Sequence, residues 1–357
     1  MVVLYHYFQD SSGFGVLHTV VAQSYMSVDL FFVLSGYVMA LTYGSAFTRG
    51  FSGVDYATFL GKRLGRVYPL YLAVTCVMTI LIFAGLIAGQ APSIVTMACN
   101  ALMVQAWGFA PSIGGPTWSI STEFAAYLAF PALVAIVLAR SASVGLAIGV
   151  VMAVLLMALA RLDSQTLHQI ADGIPSRSGP LDIFGTGTVY PLLRCAAGFV
   201  LGLVAFRLSS ECLARRFIGW THAGDLSAML VLGLWAVRGT DVVLELAFLA
   251  LVMTLGAGGS IAARLIGSGI VFWLGEVSYS IYLVHRPVES LLRNPLKALL
   301  EAHHAPHAFT ISGVVPLILT FLVAAGSFYG LEKPARNWTR RLIGGYVPPI
   351  SVEPSAP

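Results

Sequence analysis

Charged residues are scarce in this sequence: Asp, Glu, Lys and Arg make up 10% of its 357 residues. A typical soluble domain carries roughly 25%. The shortage runs the whole length of the chain and leaves too little polar surface to coat a water-soluble globule. Cysteine is also rare. Cys76, Cys99, Cys195 and Cys212 show no Cys-x-x-Cys or Cys/His spacing, which argues against a disulfide framework and against a zinc site. No internal repeat is visible, and no soluble domain of useful size. The net charge of +4 is too mild to call for a nucleic-acid partner. Basic residues on cytoplasmic loops account for it.

What the chain has instead is apolar length. Hydrophobic residues make up 57% of it, in stretches near the thickness of a bilayer. Hydropathy places spans at 27–43, 67–89, 119–139, 143–160, 190–206, 222–237, 241–257, 270–290 and 310–330. The opening residues Met1 to Phe8 read as the last turns of a further span whose beginning is missing. The expected fold is all-α, a polytopic transmembrane helix bundle of about ten spans with the first one truncated. The membrane domain is expected over 1–341, and a disordered cytoplasmic tail over 342–357, Pro-rich from Pro348. Residues 94–108 are apolar but short, and read as a half-helix or re-entrant piece. On that reading, with 44–66 cytoplasmic, 13 of the 20 Lys and Arg fall inside, and so does the C-terminus. The longest outside loop, 162–189, reads either as a solvated connector or as a surface that meets an extracytoplasmic substrate.

Against this background each ionisable residue at bilayer depth calls for a reason. His6 lies in Val2-Val3-Leu4-Tyr5-His6-Tyr7. It reads as an interfacial residue or as a group that exchanges protons near neutral pH. Asp29 opens the second span. It is either a carboxylate favoured by the helix dipole or the group that orients His6. Ser35-Gly36 in the same span permits close helix packing. Lys62, Arg63 and Arg66 end the next loop and share one helical side. They are either a positive-inside anchor or a fork for phosphate oxygens. In Trp118-Ser119-Ile120-Ser121-Thr122-Glu123, Glu123 reads as a capping carboxylate or a buried one, and Ser119 stands at i, i+4 from it. Ser278, Tyr282 and His285 form a stripe expected to face the bundle interior, for a hydrogen-bond network or for catalysis. Arg194, Asp225, Asp241 and Glu245 are expected at span edges.

These clusters, in this order, resemble the acyltransferase-3 family of integral membrane acyltransferases. The matching pieces also include Val28-Asp29-Leu30-Phe31-Phe32-Val33-Leu34-Ser35-Gly36, Arg63-Leu64-Gly65-Arg66-Val67-Tyr68-Pro69, Arg194-Cys195-Ala196-Ala197-Gly198, Leu274-Gly275-Glu276-Val277-Ser278-Tyr279-Ser280-Ile281-Tyr282-Leu283-Val284-His285 and Glu332-Lys333-Pro334-Ala335-Arg336. Each is weak alone, and the ordered set covers the chain to about residue 340. The resemblance implies a bacterial cytoplasmic-membrane enzyme that transfers an acyl group, usually acetyl from acetyl-CoA, to a hydroxyl of a carbohydrate or glycolipid. It implies membrane lipids as neighbours and no metal. By position His6 matches the family's essential histidine, and Arg63 and Arg66 match its pair for the CoA phosphates. Family members usually carry an Arg about three turns before that His, and this chain starts too late to contain it.

The mechanism expected on these grounds puts the CoA phosphates on Arg63, Arg66 and Lys62. His6, oriented by Asp29 or Glu123, then activates the acceptor hydroxyl. Ser119, Tyr282 and His285 lie on the substrate or oxyanion side. The alternative is a multi-span transporter or channel, disfavoured by the lack of a repeat and by the Arg pair's place in a cytoplasmic loop. A scaffold role, in which the clusters are only structural, is a third reading.

Overall fold

The computed structural model describes residues 1–8, 16–171, 174–185, 187–256 and 258–343. It is a helix bundle. In chain order the helices are α1 (Val2–Phe8), α2 (Val16–Ala22), α3 (Ser27–Thr48), α4 (Gly53–Phe83), α5 (Ile94–Ala101), α6 (Thr117–Val137), α7 (Ala142–Ala160) and α8 (Tyr190–Ser209). They continue as α9 (Cys212–Ile218), α10 (Ala223–Trp235), α11 (Asp241–Leu255), α12 (Ile261–Ile266), α13 (Gly269–Val288), α14 (Asn294–Ala302), α15 (Ala308–Ser327) and α16 (Lys333–Leu342). The strands among the described residues are β1 (Ile170–Ala171) and β2 (Ile174–Pro175), a small antiparallel hairpin. The all-α expectation therefore holds.

Each of the nine hydropathy spans falls on a helix. Six continuous helical stretches are long and apolar enough to cross a membrane: Val16–Thr48, Gly53–Phe83, Thr117–Val137, Ala142–Ala160, Tyr190–Ser209 and Ala308–Leu342. A seventh follows if α9 and α10, bent by 86°, form one broken span. Residues 94–113 hold no helix long enough to cross a membrane. The eight residues of α5 cover only about 12 Å at 1.5 Å per residue. The irregular backbone after α5 is tied to its neighbours. Asn100 donates to the Pro111 carbonyl at 2.9 Å, Tyr71 donates to the Asn100 carbonyl at 2.7 Å, and Ser121 donates to the Met103 carbonyl at 2.8 Å. Non-helical backbone at this depth survives only when such groups satisfy it.

One boundary is corrected. The span expected to begin at Val67 begins at Gly53, where the Ser52 hydroxyl accepts from the Asp55 N–H at 3.3 Å and caps α4. Lys62, Arg63 and Arg66 thus stand within the helix, Arg63 about 15 Å from its start. They are not in a loop. The 31 residues of α4 run about 46 Å, longer than the roughly 30 Å hydrocarbon core, so a helical position does not by itself take these cations off the side on which the count placed them.

The centre of the bundle is α8, which packs against α3, α6, α7 and α11. Its crossing with α3 depends on missing side chains. A Cβ on Gly36 would lie 2.0 Å from the Phe199 carbonyl oxygen, and one on Gly202 would lie 2.1 Å from that of Val33. With Gly on both helices the backbones touch, as small residues allow in bilayers. Prolines stand inside α4, α6, α13 and α15. Two single π-turns, Glu289–Arg293 and Phe328–Glu332, follow α13 and α15. Of the expected tail, α16 covers the first residue, and 344–357 lie outside the described residues.

Candidate active site

The site is built on α1, a helix of seven residues. Successive helical residues point about 100° apart, so Tyr5, His6 and Tyr7 face three directions. The Tyr5 hydroxyl lies 2.8 Å from that of Ser178 and donates to the Asp182 carboxylate at 3.1 Å. The Tyr7 hydroxyl donates to the His285 carbonyl at 3.0 Å and lies 2.8 Å from the Thr320 hydroxyl. Arg293, turned inward by the π-turn, donates from Nε and Nη2 to the Tyr7 carbonyl at 3.2 and 2.7 Å. Two tyrosines and an arginine therefore hold the short helix on both flanks. His6, between them, is half-buried.

The neighbour of His6 is His285 near the end of α13, with ring centroids 5.1 Å apart and planes tilted by 32°. His285 is fully buried. Its Nδ1 lies 2.6 Å from the Tyr282 carbonyl oxygen one turn back, and its Nε2 is buried without a hydrogen-bond partner. The Tyr282 ring stands 6.0 Å from that of His285. The Tyr282 hydroxyl lies 2.7 Å from the Ser119 hydroxyl at the start of α6. The fold thus joins three expected clusters in one run: His6, His285, Tyr282, Ser119. The two hydroxyls are committed, however. Tyr282 donates to the Pro116 carbonyl at 2.8 Å, and Ser119 reaches the same oxygen at 3.2 Å. Either hydroxyl must leave Pro116 or its partner before it donates to an oxyanion.

Neither carboxylate expected to orient His6 is bonded to it. Asp29 is fully buried in a two-pronged pair with Arg194, 2.7 Å from Nε and 2.5 Å from Nη2. Arg194 also lies over the Trp118 ring at 5.4 Å and donates to the Ile183 carbonyl at 2.8 Å. Asp29 is therefore a brace between α3 and α8. Glu123 is also fully buried, too far into α6 to cap it. It accepts from the Ser35 hydroxyl of α3, bonds Tyr127, and feels the charges of Arg63 and Arg66. Ser119 and Glu123, four residues apart, serve different neighbours. Glu123 belongs with the arginines, not with the histidines.

Arg63 is half-buried, its guanidinium 5.6 Å from the Tyr43 ring centre, and its Nε has no partner. Lys62 and Arg66 are half-buried on the same helix. Glu332 is buried, accepts from Ser280 at 2.8 Å, and lies within electrostatic reach of Arg66 and Arg336. This second cluster joins α3, α4, α6, α13 and the C-terminal π-turn. Ser278 departs from its expected stripe: it is exposed, and its hydroxyl donates to the Gly275 carbonyl. The first turns of α13 stand clear of the bundle, so a shared helical face does not bury them. Ser280 takes the buried position instead.

The 162–189 loop is largely exposed over its first residues and packed over 181–185. Leu167, Leu181 and Ile183 are fully buried, and Arg177 donates to the carbonyls of Gly179, Leu162 and Pro180. Burial pushes the Asp182 carboxyl above its usual range, while bonds from the Ser178 N–H and Tyr5 work against that rise. Among the described residues no group of three or more His, Cys, Asp or Glu is placed to hold a metal.

Reading the sequence missed several partners. Arg194 was expected at a span edge, and it is the most deeply buried cation of the centre. Its signal was an Arg in the first turns of an apolar helix, matched by the lone Asp of another. Tyr7 and Arg293 gave no signal, because the partners that bind them to each other and to Thr320 are remote in the chain.

Comparison with known proteins adds a family. The model described as "Acyltransferase domain" matches residues 1–329. The chain is 29% identical over 308 residues to "Acyltransferase MdmB" of Streptomyces mycarofaciens, covering 78% of this chain and 72% of that protein. It is 26% identical over 343 residues to "Putative peptidoglycan O-acetyltransferase YrhL" of Bacillus subtilis, covering 88% of this chain and 50% of that protein. No solved structure matches.

Proposed function

We propose, from the premise that this chain belongs to the acyltransferase family whose model spans residues 1–329, that it transfers an acyl group, acetyl in the simplest case, from acyl-CoA to a hydroxyl of a cell-surface or exported carbohydrate or glycolipid. The observation that carries this reading is the half-buried His6 set against buried His285 in an apolar bundle. The acceptor O–H proton passes to a bare nitrogen of His6 as the oxygen attacks the thioester carbon. The new O–C bond forms, the C–S bond breaks, and the CoA sulfur takes the proton from His6. Ser119 or Tyr282, released from Pro116, steadies the oxyanion. The apolar walls keep water from the thioester.

Arg63, Arg66 and Lys62 take the CoA phosphates in this reading. The arginines stand inside α4, so the donor enters the bundle along that helix instead of resting on its rim. Glu123 offsets part of their charge and keeps the arginines apart from the histidines. The enzyme works in a bacterial cytoplasmic membrane, with α16 on the cytoplasmic side and the His6 end toward the acceptor. The carbohydrate acceptor agrees with the printed name of the Bacillus relative.

The test is a His6→Ala variant in cells that lack the native gene. Base-labile ester on the surface glycans is measured by mass spectrometry, with the amount of folded protein matched. We expect a loss of about 10²- to 10⁴-fold, the usual share of general acid–base catalysis. Full ester formation by correctly inserted His6→Ala protein overturns the reading.

A further inference from the structure

With the two expected carboxylates committed elsewhere, something else must set the tautomer of His6. We infer that His285 does so: it is a positioning residue whose bare Nε2 accepts the N–H of His6 and leaves the other nitrogen of His6 free to take the acceptor proton. The inference rests on the acyl-transfer reading above and names the part of that site which holds its base.

A carbonyl oxygen fixes the tautomer of His285. Nδ1 of His285 lies 2.6 Å from the Tyr282 carbonyl oxygen, which can only accept. Nδ1 therefore carries a proton. In a neutral imidazole the other nitrogen is then an acceptor. That nitrogen, Nε2, is buried and has no hydrogen-bond partner in the protein. A second proton there would be a buried donor with nothing to receive it, next to the Arg286 cation, which is costly. The stable form is neutral, with a lone pair waiting for a donor.

His6 is the donor within reach. The centroids are 5.1 Å apart. With each ring nitrogen roughly 1 Å from its centroid, two nitrogens turned toward each other across that separation would stand about 3 Å apart, a hydrogen-bond distance, although the rings as placed make no such bond. A small turn of the His6 ring closes the bond, and such bonds commonly tighten only when substrate is present. The backbone is already fixed for this. Tyr7, the next residue after His6, donates to the carbonyl of His285 itself, and Arg293 holds the Tyr7 carbonyl. The inner histidine is fully buried and the outer one half-buried, so only His6 is open to an incoming hydroxyl. The charged groups around the pair are Arg286, Glu289, Arg293 and the Met1 amino group. Arg286 pairs with Glu289, and Arg293 stands 3.9 Å from the same carboxylate. None of them is bonded to Nε2. The arrangement does the work of the carboxylate behind a catalytic histidine, with a neutral acceptor in its place.

The test compares three substitutions. The amide end of Gln reaches the position of Nε2, whereas that of Asn reaches only the position of Nδ1. His285→Gln, His285→Asn and His285→Leu are expressed beside the wild type and His6→Ala in gene-deleted cells. Base-labile ester on surface glycan is measured per folded protein. We expect His285→Leu and His285→Asn to fall about 100-fold and His285→Gln to fall less than about tenfold, since only a group that accepts at Nε2 keeps the base oriented. Equal losses in all three, or none in His285→Leu, overturn the inference while His6→Ala remains inactive. Full activity of His6→Ala overturns the acyl-transfer reading beneath it. A second measurement does not depend on turnover. Nitrogen-15 spectra of histidine-labelled protein, assigned through the variants, should show His285 protonated at Nδ1 and bare at Nε2. A proton on Nε2 overturns the inference.

Discussion

The two ends of the polar interior are built on opposite plans. At the α3–α8 crossing, Arg194 meets Asp29 through two bonds, spends a third on the Ile183 carbonyl and lies over the Trp118 ring. At the α1–α13 contact, His285 keeps an acceptor with no partner beside a half-buried His6. The residue types at both places are equally out of keeping with a bilayer. The difference lies in how far they are satisfied. A charge neutralised and bonded on every side braces helices and has nothing left to offer a substrate. An acceptor held rigidly and left bare is available for chemistry. Residue type at bilayer depth therefore marks a place of interest, and the hydrogen-bond inventory decides which kind it is.

Removing one partner of the brace has the largest expected effect. Arg194→Leu leaves Asp29 as an uncompensated buried charge and should cost about 3–5 kcal/mol of stability. The combined Asp29→Leu and Arg194→Leu protein should recover most of that loss. Thermal unfolding in detergent, together with activity per folded molecule, reads both effects. If the double variant folds but makes no ester, the pair belongs to the chemistry and the comparison breaks. The next effect belongs to the same crossing. Gly36→Ala places a methyl on the Phe199 carbonyl and should cost about 1–3 kcal/mol, the usual range for overpacking. Its activity per folded molecule should stay near that of the wild type. The smallest effect is expected at the arginine cluster. Arg63→Lys removes the planar fork and should raise the KM for acetyl-CoA about tenfold with little change in melting temperature. A melting point that falls as far as in Arg194→Leu would move Arg63 to the structural side of the comparison.

The candidate site was only partly legible in the sequence. His6, Tyr282 and His285 were singled out because polar groups within apolar helices are costly. That rule gave the members of the site and not their partners. Asp29 and Glu123 were assigned to His6 by order along the chain, and both are committed to other helices. The loop position given to Lys62, Arg63 and Arg66 failed for a related reason. Three cations in five residues look like a helix boundary by hydropathy, yet α4 is capped at Ser52 and runs past them, with Tyr43 and Glu123 close to Arg63 inside the bundle.

The sequence by itself determined the class of the fold, the positions of nine helices and the set of polar residues the bilayer must explain. Apolar length and the cost of charge in hydrocarbon act locally, so they can be read one segment at a time. Only the tertiary structure decided which carboxylate meets which cation. Only it brought His6, at one end of the chain, against His285, 279 positions later. Pairing in a bundle depends on which faces pack at the same depth, and that is a property of the packed helices together and of no single one.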